Sequence, residues 1–228
     1  INVMVWARGH QTDWDYFADQ TGDATWNYES TLETYRTIEN WQGQPDAMRR
    51  GSDGLLFVQP PPDPNPVAMA MFKAAARKGI ATFEDHNGAM MEGAGGAALA
   101  NILVREGERS SVFRSYVGPI LTQGNLTILT HATVTRVLLE GARCVGVEYI
   151  VDGQIATVRS SVETVLSLCA LNTPKVLMQS GIGDANLLEA HHIAVAQHLP
   201  GVGKNLQDHV MVSGCVWQYK TPTAPRNN

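Results

Sequence analysis

The sequence predicts a mixed α/β fold, and three observations carry that prediction. Up to about residue 120 the apolar residues recur at helical spacing, with short extended pieces between. From Asn125 the period changes to two, which predicts strands at 126–129, 133–140, 144–151, 154–159 and 162–168, with Asp152-Gly153 as a tight hairpin turn. The stretch from Val162 to Gly183 then reads as strand, small-residue turn and helix. Val162 to Leu168 is apolar and β-branched, and Cys169 and Ala170 are small. Asn172 or Thr173 is the expected N-cap and Pro174 the expected first helical residue. Val176, Leu177 and Met178 would pack inward, and Gly181 would stop the helix. An α/β sheet uses this arrangement to present backbone N–H groups beyond its strand ends.

The remaining elements follow in chain order. Thr12 is the expected cap of a short helix through Asp13-Trp14-Asp15-Tyr16-Phe17. Asn27 is the expected cap of a second, with Tyr28, Leu32, Tyr35 and Ile38 on one face and Glu29, Glu33 and Glu39 toward water. Gly51 to Gly54 reads as a turn and Leu55 to Val58 as a strand. The proline-rich 60–66 stretch is a stiff connector. Asn65 and Pro66 open a helix that Gly79 ends, with Val67, Met71 and Ala75 on one face. Ile80 to Phe83 is extended, and Gly88 to Gly96 a flexible loop. Ser110 or Ser111 caps a helix that Pro119 kinks or shortens. Asp184 caps a helix carrying Leu187 and Leu188, Leu199 to Gly203 is a turn, and His209 to Tyr219 alternates as a strand.

Composition narrows the function classes. The 228 residues are 44% hydrophobic and 17% charged, ordinary values for a globular enzyme. A net charge of −5 argues against a nucleic-acid partner, and no apolar run is long enough to span a bilayer. Cys144, Cys169 and Cys215 are widely spaced and form no CxxC pair, so they read as small core residues, not a disulfide framework or metal site. This cysteine use gives an intracellular default and leaves the compartment open. The histidines form no ligand pair. His191 and His192 are adjacent and point apart on a helix; Asp208-His209 reads as a structural pair. Gly93-Ala94-Gly95-Gly96 follows no clear strand, and Gly201-Val202-Gly203-Lys204 lacks Walker spacing. The five tryptophans read as core or interface residues.

The stretch Asn172-Thr173-Pro174, Val176-Leu177, Ser180-Gly181-Ile182-Gly183 resembles the second signature of the glucose–methanol–choline (GMC) flavoprotein oxidoreductases. One position departs: the family usually has Gly or Ser where this chain has Cys169. Ile1 to His10 resembles the second half of the first signature. Asp13-Trp14-Asp15 and Trp26-Asn27-Tyr28 resemble segments that follow it. Residues 125–149 resemble the sheet that closes over the adenine end of FAD, and Leu199 to His209 the return to the substrate domain. The matches run in family order from residue 1 to about 209.

The resemblance implies part of an FAD-binding domain with a β-meander plus part of a substrate domain. It divides the chain into FAD-domain residues 1–45 with a lid, substrate-domain residues 46–110, FAD-domain residues 111–205, and a second substrate-domain start at 206–228. It implies FAD as cofactor, with Asn2, Val3, Met4 and Val5 along the flavin, Val134 at the adenine end through its backbone, and Ala170 near the adenosine. Ile1 stands where some members carry a flavin-linked His and has no nucleophile to offer. The family's GxGxxG unit and catalytic His find no match here, so the chain is expected to be an internal piece of a longer enzyme, inactive alone, with no catalytic residue of its own. The implied reaction takes a hydroxyl proton to a His and a hydride to flavin N5, oxidising an alcohol. The alcohol and the electron acceptor are left open. Two alternatives stand beside this: a hydroxynitrile lyase on the same fold, and a non-catalytic α/β module.

Overall fold

The computed structural model describes residues 4–208, and these divide into two compact units, residues 4–126 and 127–208. The expected strand at His209–Tyr219, and the residues Asn2, Val3, Cys215 and Trp217, lie outside the described residues.

In the first unit β1 (Val5–Trp6) is followed by α1 (Gln11–Thr21). Thr12 is not its cap. His10 is extended at φ −72°, ψ 151°, and its Nδ1 accepts the Thr12 N–H at 3.2 Å. A ring nitrogen in that position does what a Ser or Asp oxygen does elsewhere, and His10 Nε2 reaches the Gly93 carbonyl at 2.8 Å. A 3₁₀ turn, Ala24–Trp26, leads to α2 (Tyr28–Ile38), capped as expected by the Asn27 side chain on Ser30 N–H.

The chain leaves α2 one residue earlier than its periodicity suggests. Glu39 has ψ 153° and opens β2 (Glu39–Trp41), which pairs in parallel with β3 (Leu56–Val58). In a strand the 100° step of the helix no longer applies. Glu39 therefore turns inward and is 0% exposed, against the expectation that it faces water. Trp41, Leu56 and Val58 form the core here, with Trp6 and Leu103 packed on it. Burying Leu56 alone is worth roughly 1.5–3 kcal/mol. Gly54 permits the close approach: a Cβ there would lie 2.2 Å from the Ile38 carbonyl carbon.

After the connector comes α3 (Pro66–Arg77), with Asn65 as cap, Pro66 in the first turn and Gly79 at φ +76° beyond its end. Met71 on its expected apolar face is 53% exposed, and no α3 residue is buried. Thr82 bridges Ala97, so the 80–83 piece is extended only in part. The 88–96 loop is not slack. It contains a 3₁₀ turn, Ala89–Glu92, and Glu92 is held from two sides. Arg49 Nε and Nη2 donate to its two oxygens at 2.8 Å each, and Tyr28 Oη donates at 3.1 Å. β4 (Asn101–Ile102) pairs antiparallel with β1, and β5 (Val104–Arg105) with β6 (Glu108–Arg109). Ser111 Oγ accepts the Arg114 N–H, and the short turns Phe113–Val117 and Gly118–Ile120 follow, broken as expected around Pro119.

The second unit is a three-stranded antiparallel meander and two helices. β7 (Thr133–Glu140), β8 (Arg143–Val151) and β9 (Gln154–Arg159) lie in sequence order. Asp152 at φ 50° and Gly153 at φ 74° make the left-handed turn the hairpin needs. Two expected strands are missing. Residues 126–129 and 162–168 are not paired with any strand. Val162 and Val165 are 83% and 74% exposed, so the apolar run has no neighbour among the described residues on which to build a ladder.

α4 (Cys169–Gln179) begins earlier than expected, and Pro174 is its sixth residue, not its first. Thr173 Oγ1 accepts the Leu168 N–H at 3.1 Å instead of capping a helix that starts after it. At the other end the expectation holds. Gly181 lies at φ +82°, and a Cβ there would meet the Ala194 carbonyl oxygen at 2.4 Å. β10 (Ile182–Gly183), α5 (Ala185–Ala190, capped by Asp184) and β11 (Gln197–His198) complete the unit. Ser180 joins helix to sheet: its Oγ accepts the Val137 N–H of β7 at 2.8 Å and donates to Val176 O at 2.6 Å.

The Glu92 clamp has a pH signature. The Arg49 guanidinium, more than any other group, holds the Glu92 carboxyl below the usual carboxylate range, and the Tyr28 hydroxyl adds to it. A carboxyl depressed in the folded state contributes stability above its unfolded pKa and loses it as pH falls through the folded one. Glu92→Gln in the full-length protein is therefore expected to lower stability at neutral pH and to flatten the acid limb of a stability–pH curve from denaturant titrations. An unchanged acid limb would contradict the clamp.

Candidate functional site

The expected site residues fall on two separate stretches. Met4 and Val5 lie in the first unit, Val134 and Ala170 in the second.

Met4 is the strained residue of its stretch, with φ 62° and a half-buried side chain. A left-handed non-glycine residue costs roughly 1–2 kcal/mol. It persists because the residues after it are tied down: Leu103 N–H donates to Met4 O at 2.8 Å, and Val5 and Trp6 pair with Ile102 and Asn101. Asn87, 0% exposed, then grips the chain on both sides of Ala7. Its Nδ2 donates to Trp6 O at 2.7 Å and its Oδ1 accepts the Arg8 N–H at 2.7 Å. Arg8 is buried with Glu39. Arg8 Nη2 donates to Glu39 Oε1, and Arg8 Nη1 donates to Arg49 O at 2.7 Å. Glu39 also accepts from Trp6 Nε1 at 3.2 Å and Gly51 N–H at 3.1 Å.

Arg50 closes the cluster. Its guanidinium lies 3.8 Å from the Trp41 ring centre, with Nε 3.4 Å from Glu39 and 3.5 Å from Asp85. Burial pushes the Arg50 guanidinium down to about 10, against the opposing pull of Glu39 and Asp85. None of these buried polar groups was visible as a site in the sequence. Glu39 read as a water-facing residue at the end of α2, and Asn87, just before the Gly88–Gly96 loop, drew no reading.

In the second unit Val134 stands opposite Tyr149, just before a bulge between Val134 and Arg136. A bulge re-aims the backbone beside it. Thr135 Oγ1 donates to Glu148 at 2.7 Å, and Arg136 pairs with the same carboxylate at 2.7 Å. α4 packs against β7, which puts Ala170 and Val134 on neighbouring elements. Cys169 has φ 65° and is exposed, as is Ala170. The position where family members usually carry Gly or Ser is thus one that demands left-handed backbone. α4 starts with no side-chain cap, so its first-turn N–H groups lack the partner a capping side chain would give. Among the described residues no group of three or more His, Cys, Asp or Glu could hold a metal, and no helix is long and apolar enough to cross a membrane.

Comparisons with known proteins give the family. A family model described as GMC oxidoreductase matches residues 1–211. The chain is 40% identical over 93% of its length to mouse (Mus musculus) mitochondrial choline dehydrogenase, covering 35% of that protein. It is 36% identical over 97% of its length to an alcohol dehydrogenase [acceptor] of Pseudomonas putida, covering 40% of that protein. Among solved structures it is similar to pyridoxine 4-oxidase from Mesorbium loti, with a TM-score of 0.79 and 30% identity over 86% of this chain and 38% of that one. An FAD-dependent oxidoreductase from Chaetomium thermophilum matches at a TM-score of 0.79 and 27% identity, over 88% of this chain and 36% of that one. The chain belongs to the GMC oxidoreductase family. It spans well under half the length of the curated relatives it matches.

The left-handed turn before α4 can be tested alone. Cys169→Gly is expected to stabilise the full-length protein by about 1 kcal/mol, and Cys169→Val to destabilise it by more, since a β-branched residue fits φ 65° worse still. Urea midpoints measure both. Equal midpoints for all three proteins would show that residue 169 is not held left-handed.

Proposed function

We propose that the protein containing this chain is an FAD-dependent oxidoreductase acting on the CH–OH group of an alcohol. One observation carries the reading: relatives named choline dehydrogenase and alcohol dehydrogenase align over nearly the whole chain at 40% and 36% identity. The residues present fit such a cofactor. The uncapped start of α4 offers backbone donors beside the small, exposed Ala170, which suits an adenosine's polar edge. The bulge after Val134 bends the strand whose backbone would meet the adenine end. Asn2, Val3, Met4 and Val5 would line the flavin side, and Met4 is fixed in a strained, left-handed conformation.

Bound FAD would supply the hydride acceptor for the oxidation. This chain's part is to bind and orient. Backbone groups near Val134 and Ala170 would hold the nucleotide end. The Met4–Arg8 stretch, immobilised from behind by Asn87 and Glu39, would set where the flavin side lies. The division into FAD-domain residues 1–45 and 111–205 and substrate-domain residues 46–110 and 206–228 belongs to the same proposal.

The test is anaerobic titration of the purified full-length protein with choline and with simple primary alcohols. A yellow preparation whose flavin absorption bleaches on adding one of them is expected, with the aldehyde as product. A colourless protein, or bound flavin that no alcohol reduces, would overturn the reading.

A further inference from the structure

The structure assigns Asn87 the role of positioning residue for the cofactor-facing N-terminal stretch, an inference that rests on the FAD reading above. β1 is only two residues long, and its pairing with β4 ends at Trp6. Beyond that, the backbone on either side of Ala7 is held by one side chain. Asn87 donates to Trp6 O and accepts from Arg8 N–H, so a single amide makes the two bonds that a neighbouring strand would otherwise make.

The amide is itself fixed. Asn87 Nδ2 also donates to Asn101 Oδ1 at 2.7 Å, and Asn101 is 0% exposed. Asn87 N–H donates to Asp85 Oδ1 at 2.9 Å. Every polar atom of the Asn87 side chain is thus used, and its amide orientation is set: a flip would face the NH₂ toward the Arg8 N–H and the oxygen toward the Trp6 carbonyl. The Asn101 Nδ2, by contrast, has no hydrogen-bond partner in the structure. The strained Met4 lies two residues before Trp6. Loosening the Trp6–Arg8 grip lets the left-handed Met4 relax, and Val5 moves with it.

Asn87→Asp separates this from a general packing role. The introduced carboxylate still accepts the Arg8 N–H, and Asn101 can flip to donate its spare Nδ2 to it. It cannot donate to Trp6 O. Burial and the nearby Asp85 raise the pKa of the introduced carboxyl, against the opposing pull of its hydrogen-bond donors and of the Arg50 guanidinium beside Asp85. Once protonated, the introduced carboxyl would regain the missing donor. Asp85 and His86 on its own turn, and Arg8, Glu39 and Arg50 from the elements packed against it, are the other titratable groups around it, and all are shared with the wild type, whose own pH profile is subtracted.

The experiment uses full-length enzyme loaded with FAD, comparing wild type with Asn87→Asp and Asn87→Leu. Flavin fluorescence on dilution gives FAD affinity, and hydrogen exchange reports residues 6–9 with α2 as the folding control. For Asn87→Asp the expected result is a loss of affinity of about tenfold near pH 8 that recovers to within about twofold near pH 5. Asn87→Leu should lose affinity at both pH values, with faster exchange at 6–9 and unchanged exchange in α2. FAD affinity equal to wild type in Asn87→Asp at both pH values, or exchange that rises equally in α2, overturns the role of Asn87 alone. Wild-type protein that binds no FAD overturns the function proposed above and this inference with it.

Discussion

The carboxylate of Glu39 is the constraint on which the first unit depends. It is fully buried, and both its oxygens are engaged, by Arg8, Gly51 N–H and Trp6 Nε1, with Arg50 close behind. Four segments distant in sequence meet there: the end of β1, the start of β2, the 49–51 turn and, through Asp85, the turn that carries Asn87. Placing two arginines and a glutamate out of water is costly, and the pairing offsets that only when hydrogen bonds complete it. Such a cluster contributes little net stability against an apolar substitute. Its contribution is register. Arg8 can meet Glu39 and the Arg49 carbonyl only if the chain from Trp6 to Arg8 takes one path, and that path fixes the strained turn at Met4.

The second unit solves a similar problem with fewer charges. Ser180 ties the end of α4 to the middle of β7, and Gly181 lets the chain turn back against Ala194. This gives a physical reason for Ser180-Gly181 in the family signature: the hydroxyl bridges helix to sheet and the glycine avoids a clash. At the opposite end of the helix, Cys169 accepts a backbone conformation for which its side chain is poorly suited. Strain is thus held at Met4 and at Cys169, and after Met4 the next residues along the chain are tied down by β4 and Asn87.

Much of the fold was legible in the sequence because it obeys local rules. The meander announced itself by its period and by Asp152-Gly153, and α2, α3 and α5 by Asn27, Asn65 and Asp184 at their caps. The failures have a common cause: partners that are not local. Val162 to Leu168 has strand composition, but a strand needs a neighbour, and none pairs with it among the described residues. Pro174 looked like a first helical residue, whereas the turn at Cys169 started the helix earlier. His10 took the cap expected of Thr12 because its ring reaches the Thr12 N–H. Glu39 and Asn87 were missed as anchors because a polar residue's burial is decided by segments that fold onto it from far along the chain. Motif matching reached the family, but not the buried polar groups that hold the chain's first residues in place.

The central claim is that the Arg8–Glu39 pair acts as one unit that fixes the path of the N-terminal stretch. A double-mutant cycle in the full-length protein, with Arg8→Leu, Glu39→Gln and both together, each unfolded in urea, measures it directly. The account predicts a coupling energy of about 2 kcal/mol or more, with the double variant much less damaged than the sum of the singles. Effects that add to within about 0.5 kcal/mol would contradict it.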